Sequence, residues 1–158
     1  MTTKSNLLKK FRIVLCKTSH AGNIGSVARA MKTMGFSDLY LVNPKDFPSD
    51  HANALSCGAE DILRKANVVS SLGAALKDIN HVIGFTARKR ELTQPHKNVR
   101  ELSEQLINEA SDNSIAIIFG NETNGLSNIE LQQCQTLGFI DASLKYSSLN
   151  LAHSVQIV

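Results

Sequence analysis

Four short polar segments of this sequence carry side chains that can bind or act on a polar ligand. Residues 19–25 and 120–126 combine amides, hydroxyls and a carboxylate with closely spaced glycines, and residues 84–90 end in three consecutive basic side chains. Residues 146–150 place two serine hydroxyls and an asparagine directly before an apolar helical pattern. Serine and asparagine at such a position either cap the free N–H groups of a helix or hold a polar ligand.

Individual side chains in these segments keep both a structural and a functional interpretation. Asn23 can cap the first long helix, and Arg29 either faces solvent or grips a phosphate group. Asn124 and Gly125 suit an ordinary turn. Glu122, which lies between two glycines, favours a ligand site in which exposed backbone groups read an adenine edge.

The remaining charged and metal-binding residue types give weaker signals. The basic run within residues 86–90 is either a solvated loop or a contact to a phosphate backbone. The five histidines lack metal-ligand spacing, and His20, beside the first polar segment, is the one that we single out. The three cysteines are far apart, so we predict no disulfide framework, no metal site and a reducing, cytoplasmic location.

The elements that must position these segments alternate between strands and helices. Continuous apolar runs predict strands at Phe11–Cys16, 39–42, 81–86, Ile115–Phe119 and, more weakly, 138–140. Helical patterns lie between them, at 24–34 with Gly35 as the terminator, and around 71–77, 99–109 and 127–133. This alternation predicts an α/β fold with a mostly parallel sheet flanked by helices, which binds ligands beyond the carboxyl ends of its strands.

The composition is that of one globular domain covering residues 1–158, with 42% hydrophobic and 20% charged residues. We predict neither a membrane span nor a secretory signal. The net charge of +3 leans toward a polyanionic partner, while the 5% aromatic content argues against a base-stacking platform. The phosphate-loop, dinucleotide and G-x-S-x-G signatures are absent, which disfavours nucleotide triphosphatases, nicotinamide dehydrogenases and α/β-hydrolases.

Three of the segments extend into longer motifs that occur in a fixed order along the chain. The motifs are Asn23-Ile24-Gly25-Ser26-Val27-Ala28-Arg29-Ala30, Phe119-Gly120-Asn121-Glu122-Thr123-Asn124-Gly125-Leu126-Ser127-Asn128 and Ser147-Ser148-Leu149-Asn150-Leu151-Ala152. Together they resemble the SpoU-like branch of the SPOUT methyltransferases, and most closely the TrmJ-type tRNA 2′-O-methyltransferases. The resemblance covers nearly the whole chain and is poorest over residues 94–113.

The resemblance implies a fold, a reaction and partners that the residue pattern alone does not reveal. It implies the SPOUT fold with a deep trefoil knot near the C-terminus, an S-adenosylmethionine site formed by that knot, and a homodimer. The implied reaction is 2′-O-methylation of a ribose in tRNA, at cytidine or uridine 32 of the anticodon loop. The alternatives are a ribosomal RNA 2′-O-methyltransferase and a non-catalytic RNA-binding module of the same fold.

The resemblance also assigns roles to single residues. Contacts to S-adenosylmethionine are expected from Phe85, Thr86, Ala87, Gly120, Ile140, Ser147, Ser148 and Leu149. The polar active-site positions are Asn23, Arg29, Glu122, Ser148 and Asn150. Because a guanidinium group stays protonated at neutral pH, we expect Arg29 to bind phosphate and favour the developing alkoxide rather than accept a proton. Ser148 and Asn150 are expected to orient the ribose or the cofactor.

Two residues and the chain end depart from the family pattern. Asn121 stands where close relatives often carry a basic residue, so no ligand contact is assigned to its side chain. Phe85 replaces a small polar residue, and only its backbone is expected to contact the cofactor. Close relatives carry a C-terminal extension that helps to hold tRNA. We therefore expect a catalytic-domain segment that binds cofactor and dimerises but methylates tRNA poorly.

Overall fold

The computed structural model describes residues 3–88 and 91–158 and contains a single parallel sheet. Every strand pairing in the described part of the chain is parallel. The order across the sheet is β3-β2-β1-β6-β4-β7-β5. The strands are β1 (Phe11–Cys16), β2 (Asp38–Val42), β3 (Asn67–Val69), β4 (His81–Phe85), β5 (His96–Asn98), β6 (Ile115–Phe119) and β7 (Thr136–Phe139).

Helices connect the strands and cover both faces of the sheet. They are α1 (Lys4–Leu8), α2 (Ala21–Met34), α3 (Asp50–Ser56), α4 (Glu60–Lys65), α5 (Leu72–Ala75), α6 (Val99–Glu109), α7 (Asn128–Gln132) and α8 (Leu151–Ile157). One buried cluster joins α2, α6 and α8 to one face, and a second joins α5 and α7 to the other. Both faces of the central strands are therefore buried, which explains their continuous apolar runs.

The predicted α/β fold with a parallel sheet is confirmed, and all five predicted strands are present within one or two residues of their expected bounds. The two edge strands, β3 and β5, have three residues each and were not predicted. Each pairs along one side only, and their polar or exposed residues give little hydrophobic signal. The knot stays a prediction.

The register of the central strands brings their carboxyl ends to one edge of the sheet. Leu15 on β1 and Phe85 on β4 both pair with Phe119 at the end of β6. Phe85 also pairs with Gly138 on β7. The segments that follow these four strands, which include three of the predicted ligand-binding segments, therefore meet at the same edge.

The longest helix, α2, follows β1 and packs against α3 and α8. Its buried residues include the predicted Ile24, Val27 and Met31, and it ends at Gly35 in the left-handed conformation, as expected. Gly25 permits close approach of α3, because a Cβ atom there would lie 2.0 Å from the backbone oxygen of Ala52. The unpredicted α1, α3 and α4 are short helices of five to seven residues.

Two further observations concern helix length and metal ligands. In residues 3–88 and 91–158, every helix is too short or too polar to cross a membrane. The same residues contain no group of three or more histidine, cysteine, aspartate or glutamate side chains arranged to hold a metal ion.

Candidate functional site

A cavity of about 340 Å³ lies at the carboxyl edge of the sheet. Its walls come from the ends of β4 and β6, the segments that follow them, and the segment leading into α8. All eight residues predicted to contact a cofactor line it, namely Phe85, Thr86, Ala87, Gly120, Ile140, Ser147, Ser148 and Leu149. The structure thus gathers residues that are up to 64 positions apart in sequence around one space.

One wall is the loop of residues 120–125, whose path depends on glycine at both ends. A Cβ atom at Gly120 would lie 2.1 Å from the carbonyl carbon of Gly125, so this position excludes every side chain. Gly125 has a φ of +68° and donates its N–H to the oxygen of Asn121 at 2.8 Å. The predicted turn at Asn124 and Gly125 is therefore present.

Asn121 ties this loop to the end of β1. Its Nδ2 donates to the backbone oxygen of Lys17 at 2.7 Å, and its Oδ1 accepts from the N–H of Thr123 at 2.8 Å. The N–H of Asn124 also points to Oδ1, at 3.3 Å. Both polar atoms of the Asn121 amide have partners within the protein, so this side chain shapes the loop.

Glu122 accepts four hydrogen bonds from the segment that enters α2. The donors to its two carboxylate oxygens are the Ser19 N–H (2.9 Å), the Ser19 hydroxyl (2.8 Å), the His20 N–H (3.1 Å) and Asn23 Nδ2 (3.0 Å). Burial opposes ionisation, but these bonds outweigh it and lower the pKa of Glu122 to about 2. At neutral pH Glu122 is a carboxylate with filled acceptor positions, which makes it a poor proton acceptor.

Asn150 connects this cluster to α8. Its Oδ1 accepts from the N–H groups of Ala152 (2.9 Å) and His153 (3.4 Å), so the predicted helix cap is present. Because the cap requires the amide oxygen, Nδ2 must face the other way, and it donates to Asn23 Oδ1 at 3.1 Å. Asn23 must then donate its own Nδ2 to Glu122, so the direction of every hydrogen bond in this chain is fixed.

The expected capping role of Asn23 is wrong. The helix begins at Ala21 with His20 at the cap position, so Asn23 lies inside the first turn of α2. An asparagine inside a helix cannot cap that helix's first N–H groups, and its amide instead joins Glu122 to Asn150. Asn23 is therefore connected to the cavity-lining Glu122 through a contact other than the expected cap.

Arg29 lies apart from the other predicted active-site residues. Asn23, Glu122 and Asn150 are connected by hydrogen bonds, and Ser148 lines the same cavity as Glu122. Arg29 is six residues beyond Asn23 on α2, a rise of about 9 Å along the helix. Its exposed guanidinium donates to the Cys57 sulfur at 3.7 Å and does not line the cavity.

Phe85 is one of two stacked aromatic residues that line the cavity. Its ring stacks on Phe119 with centroids 5.6 Å apart and an interplanar angle of 19°. Gly138 makes room for it, since a Cβ atom there would lie 2.7 Å from the Phe85 ring. The Phe85 side chain is therefore part of the hydrophobic core as well as a lining residue.

Some site residues were assigned weakly or not at all from sequence. Ser19 supplies two of the four bonds to Glu122, and its position in the polar segment after β1 indicated it only weakly. Arg88 lines the cavity. Its basic neighbours Lys89 and Arg90, for which a phosphate contact was also considered, lie outside the described residues. His81 is structural as expected, with Nδ1 2.6 Å from Glu109 and Nε2 2.9 Å from Thr136.

Comparisons with known proteins agree on one family. The SpoU rRNA Methylase family model matches residues 10–158. A tRNA (cytidine/uridine-2′-O-)-methyltransferase TrmJ from Photorhabdus laumondii subsp. laumondii is 49% identical over 96% of this chain and 63% of its own length. The chain spans between 60% and 63% of the length of the curated relatives that it matches.

Solved structures give the same result. A probable methylase family protein from Haemophilus influenzae Rd KW20 is 49% identical, with a TM-score of 0.89 over 95% of this chain and 63% of that chain. The SpoU methyltransferase AviRb from Streptomyces viridochromogenes, solved with the cofactor AdoMet, shares the fold at 21% identity. Its TM-score is 0.75 over 94% of this chain and 55% of that chain. The chain belongs to the SpoU rRNA methylase family.

Proposed function

We propose that this chain transfers a methyl group from S-adenosylmethionine to a ribose 2′-hydroxyl of tRNA, at cytidine or uridine 32 of the anticodon loop. The observation that carries the proposal is the hydrogen-bonded chain Asn150–Asn23–Glu122 at the edge of a cavity with the eight expected cofactor positions. The curated relatives, which are longer, are named as tRNA methyltransferases that act on the 2′-oxygen of cytidine or uridine.

The residues around the cavity fit S-adenosylmethionine. The volume of about 340 Å³ lies within the range of small-molecule sites. Gly120 lets residues 120–125 fold closely back on themselves beside the cavity, and Phe85 and Phe119 provide an apolar surface. Residues 85–87 and 147–149 would hold the ligand from the two sides. When bound there, S-adenosylmethionine supplies an electrophilic methyl group on a sulfonium sulfur.

The protein's contribution is positioning and charge. Asn23 and Asn150 present fixed amide groups next to the cavity, and Glu122 holds the start of α2 in place. Holding a hydroxyl in line with the methyl group can be worth an effective molarity on the order of 10⁵ M or more. Arg29 lies on the exposed part of α2, apart from the cavity, where its planar guanidinium would bind a phosphate of the RNA.

The role of Arg29 is tested by Arg29→Lys. A lysine keeps the positive charge but loses the planar fork, so we expect weaker RNA binding and a rate that varies with pH as in the wild type. The measurement is the methylation rate as a function of pH for both proteins. If the rate of the variant, but not that of the wild type, rises with pH at an apparent pKa well below that of free lysine, residue 29 is the proton acceptor.

We also propose a homodimer in the cytoplasm. Leu144 and Tyr146 are 102% and 80% exposed, which leaves large apolar side chains for a second copy to cover. Sedimentation velocity should give the mass of a dimer for the wild type and of a monomer for the Leu144→Ser/Tyr146→Ser double variant. A wild-type protein that sediments as a monomer would contradict the dimer.

The proposed reaction is tested with methyl-labelled S-adenosylmethionine and an unmodified tRNA transcript. A matched transcript with 2′-deoxycytidine at position 32 is the control. We expect label at nucleotide 32 of the first transcript and none in the second, located by nuclease digestion and mass spectrometry. Label in ribosomal RNA fragments but not in tRNA would support the ribosomal RNA alternative. No binding of S-adenosylmethionine at millimolar concentration would exclude the enzyme and leave an RNA-binding module.

A further inference from the structure

The Ser19 hydroxyl lies between a carboxylate and an imidazole and has only one hydrogen to donate. Ser19 Oγ is 2.8 Å from Glu122 Oε2 and 3.2 Å from His20 Nδ1. A hydrogen bond to an ionised carboxylate is shorter and stronger than one to a neutral nitrogen, so the hydroxyl donates to Glu122. Its lone pair is then the group that faces Nδ1, and a lone pair can only accept.

This arrangement assigns the tautomer of His20. Nδ1 must carry the hydrogen and donate it to Ser19 Oγ, which leaves the lone pair of a neutral imidazole on Nε2. In residues 3–88 and 91–158, no hydrogen bond reaches Nε2, and the side chain is exposed. Hydrogen bonds thus connect the Glu122 carboxylate to the Ser19 hydroxyl and the Ser19 hydroxyl to the His20 imidazole. The basic nitrogen Nε2 lies at the solvent-exposed end of this series.

On the basis of the proposed function, we propose that His20 is the catalytic residue that accepts the proton of the ribose 2′-hydroxyl. The ribose O–H bond breaks and its proton moves to Nε2. The oxygen's electron pair forms the new bond to the methyl carbon, while the bond from that carbon to the sulfonium sulfur breaks. The sulfur keeps the pair and becomes a neutral thioether, and the imidazolium then releases its proton to water.

His20 does not line the cavity itself but donates its N–H to Glu122, which does, and its surroundings favour this role over the neighbouring polar groups. Glu122 already accepts four hydrogen bonds, and the Arg29 guanidinium holds no free lone pair at neutral pH. The positive charge formed on His20 lies two hydrogen bonds from the Glu122 carboxylate, which stabilises it. The imidazole that approaches from α3 is His51, which packs against Gly22 in the first turn of α2.

The tautomer can be measured without any reaction. Long-range ¹H–¹⁵N spectra of the wild-type protein, recorded where the imidazoles are neutral, distinguish hydrogen on Nδ1 from hydrogen on Nε2. We expect His20 to carry its hydrogen on Nδ1, like His81, whose Nδ1 faces the Glu109 carboxylate and serves as an internal reference. Ser19→Ala should return His20 to a mixture of both forms. A wild-type His20 with its hydrogen on Nε2 would overturn the proposal.

The catalytic role is tested with His20→Ala, with His153→Ala as the matched control at another exposed histidine. The His20 side chain makes no helix-capping bond, so we expect the variant to fold and to bind S-adenosylmethionine like the wild type. We expect kcat to fall by about 10²–10⁴-fold, as for loss of a general base, and added imidazole to restore part of it. Wild-type kcat in His20→Ala, or a loss that imidazole does not restore, would overturn the role of His20 alone. Absence of methylation by the wild type would instead overturn the proposed function.

Discussion

The two walls of the cavity are held in different ways. The tied loop, residues 120–125, is bonded to the segment after β1 through Asn121 and Glu122. The exposed segment, residues 141–150, is solvent-exposed at all ten positions. It is attached near its ends, where Asp141 accepts from Asn98 and Asn150 donates to Asn23.

The contrast indicates which wall loses conformational freedom when a ligand binds. The tied loop is already held in place, because Asn121 and Glu122 are bonded to the segment after β1 and to the start of α2. Residues 147–149 of the exposed segment lose side-chain freedom on binding, which costs about 0.5–1.5 kcal/mol for each immobilised side chain. Substitutions in the tied loop should therefore change both stability and binding, and those at residues 147–149 of the exposed segment should change binding with little effect on stability.

The largest effect is expected from Gly120→Ala in the tied loop. The new Cβ atom would lie 2.1 Å from the Gly125 carbonyl carbon and 2.2 Å from the Leu126 nitrogen, so the loop must move. We expect the affinity for S-adenosylmethionine to fall at least about tenfold, or 1.4 kcal/mol, with a lower free energy of unfolding. Calorimetry and urea unfolding measure the two quantities.

Gly73→Ala is the matched control for this substitution, because a Cβ atom there meets no atom within 4 Å. Gly73 lies in α5, where alanine is the better helix former, so unfolding should require slightly more free energy. A Gly120→Ala variant that behaves like Gly73→Ala would show that the tied loop is not rigid.

The next effect is expected from Glu122→Gln. The NH2 group of glutamine is a hydrogen-bond donor, and it would face some of the four donors that now bind the carboxylate. The free energy of unfolding at pH 7 should therefore fall by about 1–3 kcal/mol. Since folding lowers the pKa of Glu122 to about 2, its carboxylate stabilises the fold above the unfolded pKa of roughly 4.3. That contribution is lost as the pH falls toward 2.

The measurement is urea unfolding of both proteins at a series of pH values between 7 and 2.5. The difference between them should be constant above about pH 5 and shrink below it. A difference that stays constant down to pH 2.5 would mean that the Glu122 charge contributes nothing.

Two substitutions of Asn150, where the exposed segment joins α8, distinguish its capping role from its hydrogen bond to Asn23. Asn150→Ala removes both, and we expect a loss of about 1 kcal/mol of unfolding free energy, typical of a helix cap. Asn150→Asp keeps the capping oxygen but loses the donor to Asn23, so it should retain stability and lose methylation rate. Equal destabilisation of the two variants would refute the division of roles.

The smallest effect on stability is expected from Ser148→Ala within the exposed segment. As a surface change it should alter the unfolding free energy by less than about 0.5 kcal/mol. The affinity for S-adenosylmethionine should nevertheless fall, because Ser148 lines the cavity. Destabilisation comparable to that of Glu122→Gln would remove the distinction between the two walls.

The sequence predicted the fold well where burial is complete and poorly at the edges of the sheet. Strands such as Ile115–Phe119 are buried along their whole length, so their apolar runs predict them directly. The edge strand Asn67–Val69 has two exposed residues of three, and its pairing with β2 depends on contacts that no local pattern encodes.

The same distinction applies to the site. The motifs predicted that Asn23, Glu122 and Asn150 belong together, although they are far apart in sequence. The contact that Asn23 makes could not be predicted, because it depends on the three-residue difference between the expected and observed helix start. The bonds from Ser19 to Glu122 span 103 residues and arise only from the parallel register of β1 and β6.

The central claim is that the tied loop and the exposed segment enclose one site for S-adenosylmethionine. The most direct measurement is titration of the ¹⁵N-labelled protein with S-adenosylmethionine, followed by amide chemical shifts. We expect shifts on both walls, at residues 120–125 and 147–149, and also at the lining residues 85–87 and 140. Shifts confined to the apolar groove between α1, α2, α6 and α8, which Leu7, Met31, Leu106 and Val155 line, or no shifts at all, would contradict the claim.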